Sequence, residues 1–159
     1  MKLYLVQHAR AASKEVDPQR PLTAEGQQDM HKVAEFVKPL QITVNSLWHS
    51  GKTRAKQTAE ILAKVITLEN EMAAHDGLAP NDDVQVIKEI IISSGDDLMI
   101  VGHMPFMAKL ASLLLTGSES SGTVTFRQGG VVCLSFAPKG QEEDIRWQID
   151  WMIVPELLT

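Results

Sequence analysis

The sequence lacks two features that would each define a class of protein. It has one cysteine, Cys133, so no disulfide can form within the chain, and the apolar neighbours of this residue predict a buried thiol. Its apolar runs fall well short of the roughly 18 residues that a membrane-spanning helix requires, and the first is too short for the core of a signal peptide. We therefore expect a cytoplasmic protein that does not bind membranes.

A large excess of basic charge is also absent. The 159 residues include 15 basic and 20 acidic side chains, which give a formal net charge of −5. That balance excludes a nucleic-acid-binding protein that relies on a broad basic surface, but it is compatible with a small cationic pocket. With 44% apolar and 22% charged residues, the length suits one folded domain that spans residues 1–159.

Short apolar runs alternate along the chain with segments whose apolar residues recur at helical spacing. Strands are predicted at residues 3–6, 46–48, 98–101, 123–126, 131–136 and 145–153. Helices are predicted from Thr23 to about Pro39 and around residues 55–65, 84–94 and 105–117. This order indicates an α/β fold, a three-layer α/β/α sandwich with a mostly parallel central sheet and antiparallel edge strands.

Periodicity also predicts which side chains of two elements face the core. The third helix is expected to bury a stripe of four aliphatic residues, Val84, Ile87, Ile90 and Ile91. In the last strand, Trp147 and Trp151 fall on one face at a period of two, as core residues or, alternatively, as a partner-binding patch. A turn at Lys139 and Gly140 is expected to join the last two strands.

Polar residues follow three of the predicted strands at the point where each strand ends. His8 follows the first strand, His49 and Ser50 follow the second, and His103 follows the strand before the last long helix. Ligands of open α/β sheets bind outside the carboxyl ends of the strands, where free backbone N–H groups favour anions. We therefore expect His8, Ser50 and His103 to lie close together at one edge.

Three arginines fall near the same predicted edge. Arg10 lies two residues after His8, Arg20 lies in the loop after the first strand, and Arg54 begins the helix after Ser50. A guanidinium donates two parallel hydrogen bonds that match the oxygens of a phosphate group. The sequence thus predicts a phosphate-binding pocket in an otherwise acidic protein.

Four segments, in this order, resemble motifs of the histidine phosphatase superfamily, the phosphoglycerate-mutase-like proteins. The resemblance is strongest to the small phosphohistidine phosphatase branch of SixA type. The segments are LVQHARA at residues 5–11, RPLTAEG at 20–26, SGKTRAKQTA at 50–59 and VGHMP at 101–105. Each motif is short, but the four occur in the family's order across nearly the whole chain. The resemblance implies the phosphoglycerate-mutase-like fold.

The resemblance also implies roles for individual residues. His8 would be the nucleophile that takes the phosphoryl group, with one ring nitrogen free and the other fixed by a backbone carbonyl. Arg54 would hold the phosphoryl oxygens, and His103 would act as a second donor in its cationic form. Arg20 and Ser50 would bind the substrate. The family's reaction implies neither a metal nor another cofactor.

One position departs from the family pattern. The family has an arginine directly before the nucleophilic histidine, whereas this chain has Gln7. A glutamine can still contact substrate, but it supplies no charge. Arg10, which is unusual at its position, is a candidate to compensate for the missing cation.

Two further groups of residues have open alternatives. Asp76 is a candidate general acid, although Asp82 and Asp83 are better interpreted as caps of the following helix. His49 and His75 suggest a metal site, but no two histidines have the i, i+4 spacing of helical ligands.

These observations together predict a metal-independent phosphatase whose substrate is phosphohistidine on a protein. An imidazole leaving group can depart already protonated, so the small chain does not need a general acid for this substrate. One alternative is a phosphatase for small phosphate esters. Another is a phosphate- or phosphoprotein-binding module in which Gln7 has weakened catalysis.

Overall fold

The computed structural model describes residues 1–138 and 145–159, so the predicted turn at Lys139 and Gly140 lies outside the described residues. The strands are β1 (Lys2–Gln7), β2 (Thr43–Val44), β3 (Ser46–His49), β4 (Thr67–Leu68), β5 (Met72–Ala74), β6 (Leu98–Gly102), β7 (Val131–Pro138) and β8 (Ile145–Ile153). The α-helices are α1 (Ala24–Val37), α2 (Thr53–Ala63), α3 (Val84–Ser94) and α4 (Phe106–Thr116). No helix in the described ranges is long and apolar enough to cross a membrane.

The central sheet has six strands in the order β5-β3-β6-β1-β7-β8. Strands β5, β3, β6 and β1 are parallel, whereas β7 is antiparallel to both β1 and β8. The helices α1 and α2 pack on one face of the sheet, and α3 and α4 pack on the other. The predicted three-layer sandwich with a mostly parallel sheet is therefore confirmed.

Local signals account for the ends of the helices. Thr23 caps α1 by accepting a hydrogen bond from the backbone N–H of Gly26 at 3.0 Å. A short 3₁₀ turn that contains Pro39 follows α1 directly, since proline cannot continue the hydrogen-bond ladder of the helix. At the other face, α3 stops at Gly95, whose φ of 66° is readily adopted only by glycine.

Two local predictions were wrong, and two small features were missed. Residues 123–126 do not form a strand. Val124 and Phe126 are both buried, but alternating burial does not require a hydrogen-bonded partner strand. Ile90 is 36% exposed, because it lies beside the buried stripe of α3 rather than within it. Strand β5 and the small parallel β2–β4 sheet were not predicted, since two or three residues are too few to show periodicity.

The two tryptophans of β8 lie on opposite faces of the sheet, which corrects the predicted common face. Cys133 pairs with Trp151 and Leu134 pairs with Ile149, so Asp150 is an extra residue in the β8 strand. Such a bulge shifts the alternation of all later side chains by one position. As a result, Trp147 packs on the side of α3 and α4, and Trp151 packs against Tyr4 with ring centroids 6.2 Å apart.

Candidate active site

His8 lies directly after β1 and is buried, with 6% of its surface exposed. Its backbone N–H donates to the carbonyl of Gly102 at the end of β6, at 3.0 Å. Its ring Nδ1 is 2.7 Å from the carbonyl oxygen of Ala9, an acceptor that requires a proton on Nδ1. The neutral ring therefore has its lone pair on Nε2, the atom that a nucleophilic histidine uses.

His103 follows β6, and its ring centroid is 5.0 Å from that of His8. Its Nε2 is 2.6 Å from the hydroxyl oxygen of Ser50, which follows β3. Its Nδ1 is buried and has no hydrogen-bond partner among the residues that the structure describes. Three parallel strands thus deliver His8, Ser50 and His103 to one edge of the sheet, as their positions in the sequence predicted.

Two arginines from separate segments add positive charge to this edge. Arg54 lies in the first turn of α2, and its Nε is buried without a hydrogen-bond partner in the described structure. Arg20 has a φ of 48°, and its Nε donates to the carbonyl of Ala12 at 3.0 Å. Within the described ranges, neither guanidinium forms an ion pair with a carboxylate.

These charges and the burial of the site favour the neutral form of both histidines. Burial lowers the pKa of His8, and the charges of Arg54 and Arg20 lower it further, against the opposing effect of the Ala9 carbonyl. Burial, then His8 and Arg54, lower the pKa of His103 to about 3. Nearby positive charge thus favours the neutral form of His103, whereas the cationic form that was expected is the one that the negative charge of a phosphoryl group would stabilise.

The arginines also perturb each other. Burial lowers the pKa of Arg54, and the charge of Arg20 lowers it further. Like charges brought together without a compensating carboxylate raise the free energy of the folded protein, and such arrangements cluster at functional sites. An anion with two or three oxygens is the group that would offset these charges.

One turn of α2 holds the segments around this pocket in place. Thr58 Oγ1 accepts from the backbone N–H of Ala9 at 3.1 Å and donates to the carbonyl of Arg54 at 2.8 Å. Gln57 Oε1 accepts from the backbone N–H of Leu22 at 2.7 Å, next to the loop that contains Arg20. The sequence predicted neither of these contacts, although both residues belong to the motif at residues 50–59.

Comparison with known proteins then shows which family the chain resembles. The model of the histidine phosphatase superfamily, branch 1, matches residues 3–79, which include His8, Arg20 and Arg54. The chain is therefore similar to the histidine phosphatase superfamily over nearly half of its length. This similarity supports a phosphatase activity and therefore a hydrolase.

Three proteins illustrate what this chain is similar to. An uncharacterized protein of Picosynechococcus is 28% identical over 145 residues, 84% of each chain. The phosphohistidine phosphatase SixA of Escherichia coli is 23% identical over 122 residues, 74% of this chain and 76% of SixA. The structure of the protein histidine phosphatase SixA with tungstate superposes with a TM-score of 0.83 at 20% identity, covering 99% of both chains. The fold is therefore that of SixA, the branch that the motifs predicted.

The position that departs from the family pattern lies beside the pocket. Gln7 is 8% exposed, and its Oε1 is buried without a hydrogen-bond partner among the described residues. Arg10, the proposed substitute for the missing cation, is exposed and contacts two carboxylates of α1, with Glu25 at 2.9 Å and Asp29 at 3.5 Å. Since its charge is already balanced, this geometry does not favour compensation by Arg10.

The carboxylates considered for a general acid have other contacts or lie at the surface. Asp83 caps α3 by accepting from the backbone N–H of Gln85, as the cap interpretation predicted. Asp82 instead accepts from the backbone N–H of Ala79 in the preceding loop, so its predicted role as a cap of α3 was wrong. Asp76 is exposed, and the groups that shift the pKa of His8 and His103 include no carboxylate.

The two histidines that suggested a metal site, His49 and His75, also have local contacts. His49 Nδ1 accepts from the backbone N–H of Gly51 at 3.0 Å, which holds the Ser50 loop. His75 stacks on Trp48 with ring centroids 4.3 Å apart. Across the described ranges, no group of three histidine, cysteine or acidic side chains has the arrangement of a metal site.

Proposed function

We propose that this protein is a phosphohistidine phosphatase that hydrolyses a phosphorylated protein through a covalent phospho-His8 intermediate. The observation that carries the proposal is the combination of a neutral His8 with Nε2 free and two arginines that lack carboxylate partners in the described structure. A nucleophile with a free nitrogen beside unpaired cations is suited to receive a phosphoryl group.

Each residue of the pocket has a role in this reaction. His8 Nε2 attacks phosphorus, the P–N bond of the substrate breaks, and its electrons stay on the departing imidazole. Arg54 and Arg20 bind the phosphoryl oxygens, whose negative charge is spread over the transition state. Ser50 and His103 contact the same group, and the approach of its negative charge allows His103 to take up a proton. Water then attacks phospho-His8 and releases inorganic phosphate.

Two considerations favour phosphohistidine over a phosphate ester. An ester releases an alkoxide, which needs a proton from a general acid. No carboxylate is among the groups that perturb His8 or His103, and an imidazole that is protonated on its other nitrogen leaves as a neutral molecule. The similarity to SixA, a phosphohistidine phosphatase, points the same way. We expect the reaction to take place in the cytoplasm and to require no metal.

Two other functions make different predictions. A phosphatase for small phosphate esters would turn over p-nitrophenyl phosphate faster than phosphohistidine. A phosphate-binding module would bind phosphate without turnover. The motivation for the second is Gln7, which leaves the pocket one cation short of the family pattern.

The test is a single-turnover reaction with a protein phosphorylated on histidine. Wild type should form an acid-labile phospho-enzyme and release inorganic phosphate, whereas His8→Ala should do neither. His31→Ala is the matched control, since His31 is an exposed histidine of α1. A labile phospho-enzyme in His8→Ala would contradict the assigned nucleophile. Phosphate binding without turnover of either substrate would favour the binding module, and loss of activity with a chelator would favour a metal-dependent hydrolase.

A further inference from the structure

Lys52 is a cation beside the pocket that the proposed reaction does not use. It lies at the N-cap of α2, two residues after Ser50, and its backbone N–H donates to Ser50 Oγ at 3.4 Å. The same hydroxyl oxygen is 2.6 Å from His103 Nε2. Burial is the main cause of the lowered pKa of His103, and the charge of Lys52 is one of those that lower it further. Lys52 therefore lies close enough to the pocket for its charge to act on a bound substrate.

The fold gives no reason for a lysine at this position. A helix N-terminus favours Ser, Thr, Asp or Asn as the cap and acidic side chains in the first turn, because its free N–H groups carry partial positive charge. Thr23 at the start of α1 and Asp83 at the start of α3 follow this preference. Helix α2 instead begins with Lys52, whose side chain makes no cap hydrogen bond, and its first turn contains no acidic residue. The lysine therefore destabilises the helix that it begins, and a role outside the helix would account for it.

Lys52 also has no acidic partner within the part of the chain that the structure describes. None of the ion pairs there includes it, and its side chain is exposed. Arg20 and Arg54, which likewise form no ion pair there, already supply two positive charges for a phosphoryl group that carries about two negative charges. Lys52 is thus a third cation, in excess of what that group needs. The anion that suits it belongs to another part of the substrate.

We propose that Lys52 binds an acidic side chain that lies beside the phosphohistidine of the substrate protein, and that it thereby selects substrates with an acidic surface around that residue. This inference rests on the proposed function and adds a specificity-determining residue to it. The chain has a net charge of −5, so an acidic partner would be repelled by most of its surface. A cation at the edge of the pocket orients such a partner with its phosphorylated residue towards His8.

Lys64 provides a matched control, because it flanks the other end of the same helix. Lys52 is the N-cap and Lys64 is the C-cap of α2, which places them about 18 Å apart along the helix axis. Lys64 is also exposed and forms no ion pair in the described ranges. Replacing either lysine by methionine removes one exposed positive charge, but only Lys52 lies beside the pocket.

The test uses two synthetic peptides that are phosphorylated on histidine. In one peptide the phosphohistidine is flanked by aspartate and glutamate, and in the other it is flanked by asparagine and glutamine. The value of kcat/KM for each peptide is measured in wild type, Lys52→Met, Lys52→Asp and Lys64→Met. An effect of Lys52 on His103 changes the rates of both peptides alike, so the ratio of the two values isolates the contact with the acidic side chains.

Wild type should prefer the acidic peptide about three- to fivefold at low ionic strength, the usual strength of an exposed ion pair, and added salt should reduce this preference. Lys52→Met should abolish the preference, Lys52→Asp should reverse it, and Lys64→Met should retain it. Lys52→Asp should also unfold at a higher temperature than wild type, because an aspartate can cap α2. Absence of a preference in wild type, or a preference that survives in Lys52→Met, would overturn the proposal.

A binding measurement separates this proposal from the proposed function. Fluorescently labelled forms of the same two peptides are titrated with His8→Ala and with the double variant His8→Ala/Lys52→Met, and binding is followed by anisotropy without the need for turnover. A preference for the acidic peptide that is lost in the double variant supports the role of Lys52, even if wild type hydrolyses only phosphate esters and the proposed function fails. Equal binding of the two peptides, or none, overturns this role and leaves the phosphatase assignment to the single-turnover test.

Discussion

Arg10 lies two residues after His8 and the charge of Arg54 acts on His8, but their surroundings differ in a way that separates structural from functional charge. Arg10 is exposed and forms ion pairs with two carboxylates of α1. Arg54 has a buried Nε without a hydrogen-bond partner in the described structure, beside the like charge of Arg20. A surface arginine with acidic partners contributes little to the stability of the fold, whereas a buried arginine without such partners is suited to bind an anion.

The largest expected effect is that of removing the buried charge. Arg54→Ala should reduce kcat/KM by roughly 100- to 1000-fold, since it removes donors from the transferred phosphoryl group. The same variant should unfold at an equal or higher temperature than wild type, because it relieves the repulsion of Arg20. Steady-state kinetics and thermal unfolding check the two effects. A strong loss of stability would show that Arg54 is a structural residue, like Arg10.

The second effect concerns the link between Arg54 and His8. Thr58→Val removes the acceptor of the Ala9 N–H and leaves that buried donor unpaired, which should lower the free energy of unfolding by about 1–3 kcal/mol. It should also reduce kcat more than KM rises, because His8 and Arg54 lose their shared support. Thr58→Ser keeps the hydroxyl and should restore most of the activity. Denaturant unfolding and steady-state kinetics measure both effects, and a silent Thr58→Val would contradict the link.

The third effect is a pH dependence of stability that arises from the burial of His103 and, secondarily, from its neighbours His8 and Arg54. The pKa of His103 is about 3 in the folded protein and about 6.5 in the unfolded chain. As the pH falls, the unfolded chain therefore takes up a proton on this histidine before the folded protein does. Stability should therefore decrease between about pH 6.5 and pH 3. His103→Gln should decrease less steeply over this window in urea unfolding. An identical slope in both proteins would mean that His103 is protonated in the folded state.

The smallest effect is expected for Arg10. Arg10→Ala should change kcat/KM by less than about threefold and the free energy of unfolding by less than about 1 kcal/mol, since exposed ion pairs contribute little. Kinetics and denaturant unfolding of Arg10→Ala beside Arg54→Ala test the contrast directly. A loss comparable with that of Arg54→Ala would restore the idea that Arg10 compensates for Gln7.

Most of the fold and the histidines of the pocket could be predicted because they depend on repeated or regular signals. The helices show long apolar stripes, and the carboxyl ends of parallel strands must meet at one edge, so His8, Ser50 and His103 were expected together. The bulge at Asp150 was not predictable, because a single extra residue leaves no periodic trace. The direction of the Arg10 side chain depended on which carboxylates of α1 the loop would meet.

The charge state of His103 could not be predicted for a related reason. Its pKa depends on burial and on the summed charge of His8, Arg54, Lys52 and Arg20, which lie in three separate segments of the chain. Motif matching assigns a residue to a position but carries no information on its local dielectric. Lys52 was accordingly missed, although its charge acts on His103.

The backbone around His8 has bonds to both neighbouring strand ends. The His8 N–H donates to Gly102 on one side, and the Gly129 N–H donates to the carbonyls of Gln7 and His8 on the other. The backbone is therefore clamped in the middle of the sheet, and its amide protons should be among the slowest in the molecule to exchange with water. A phosphoryl group can then arrive and leave without a rearrangement of the main chain. Motions that limit turnover would have to come from side chains and loops at the rim.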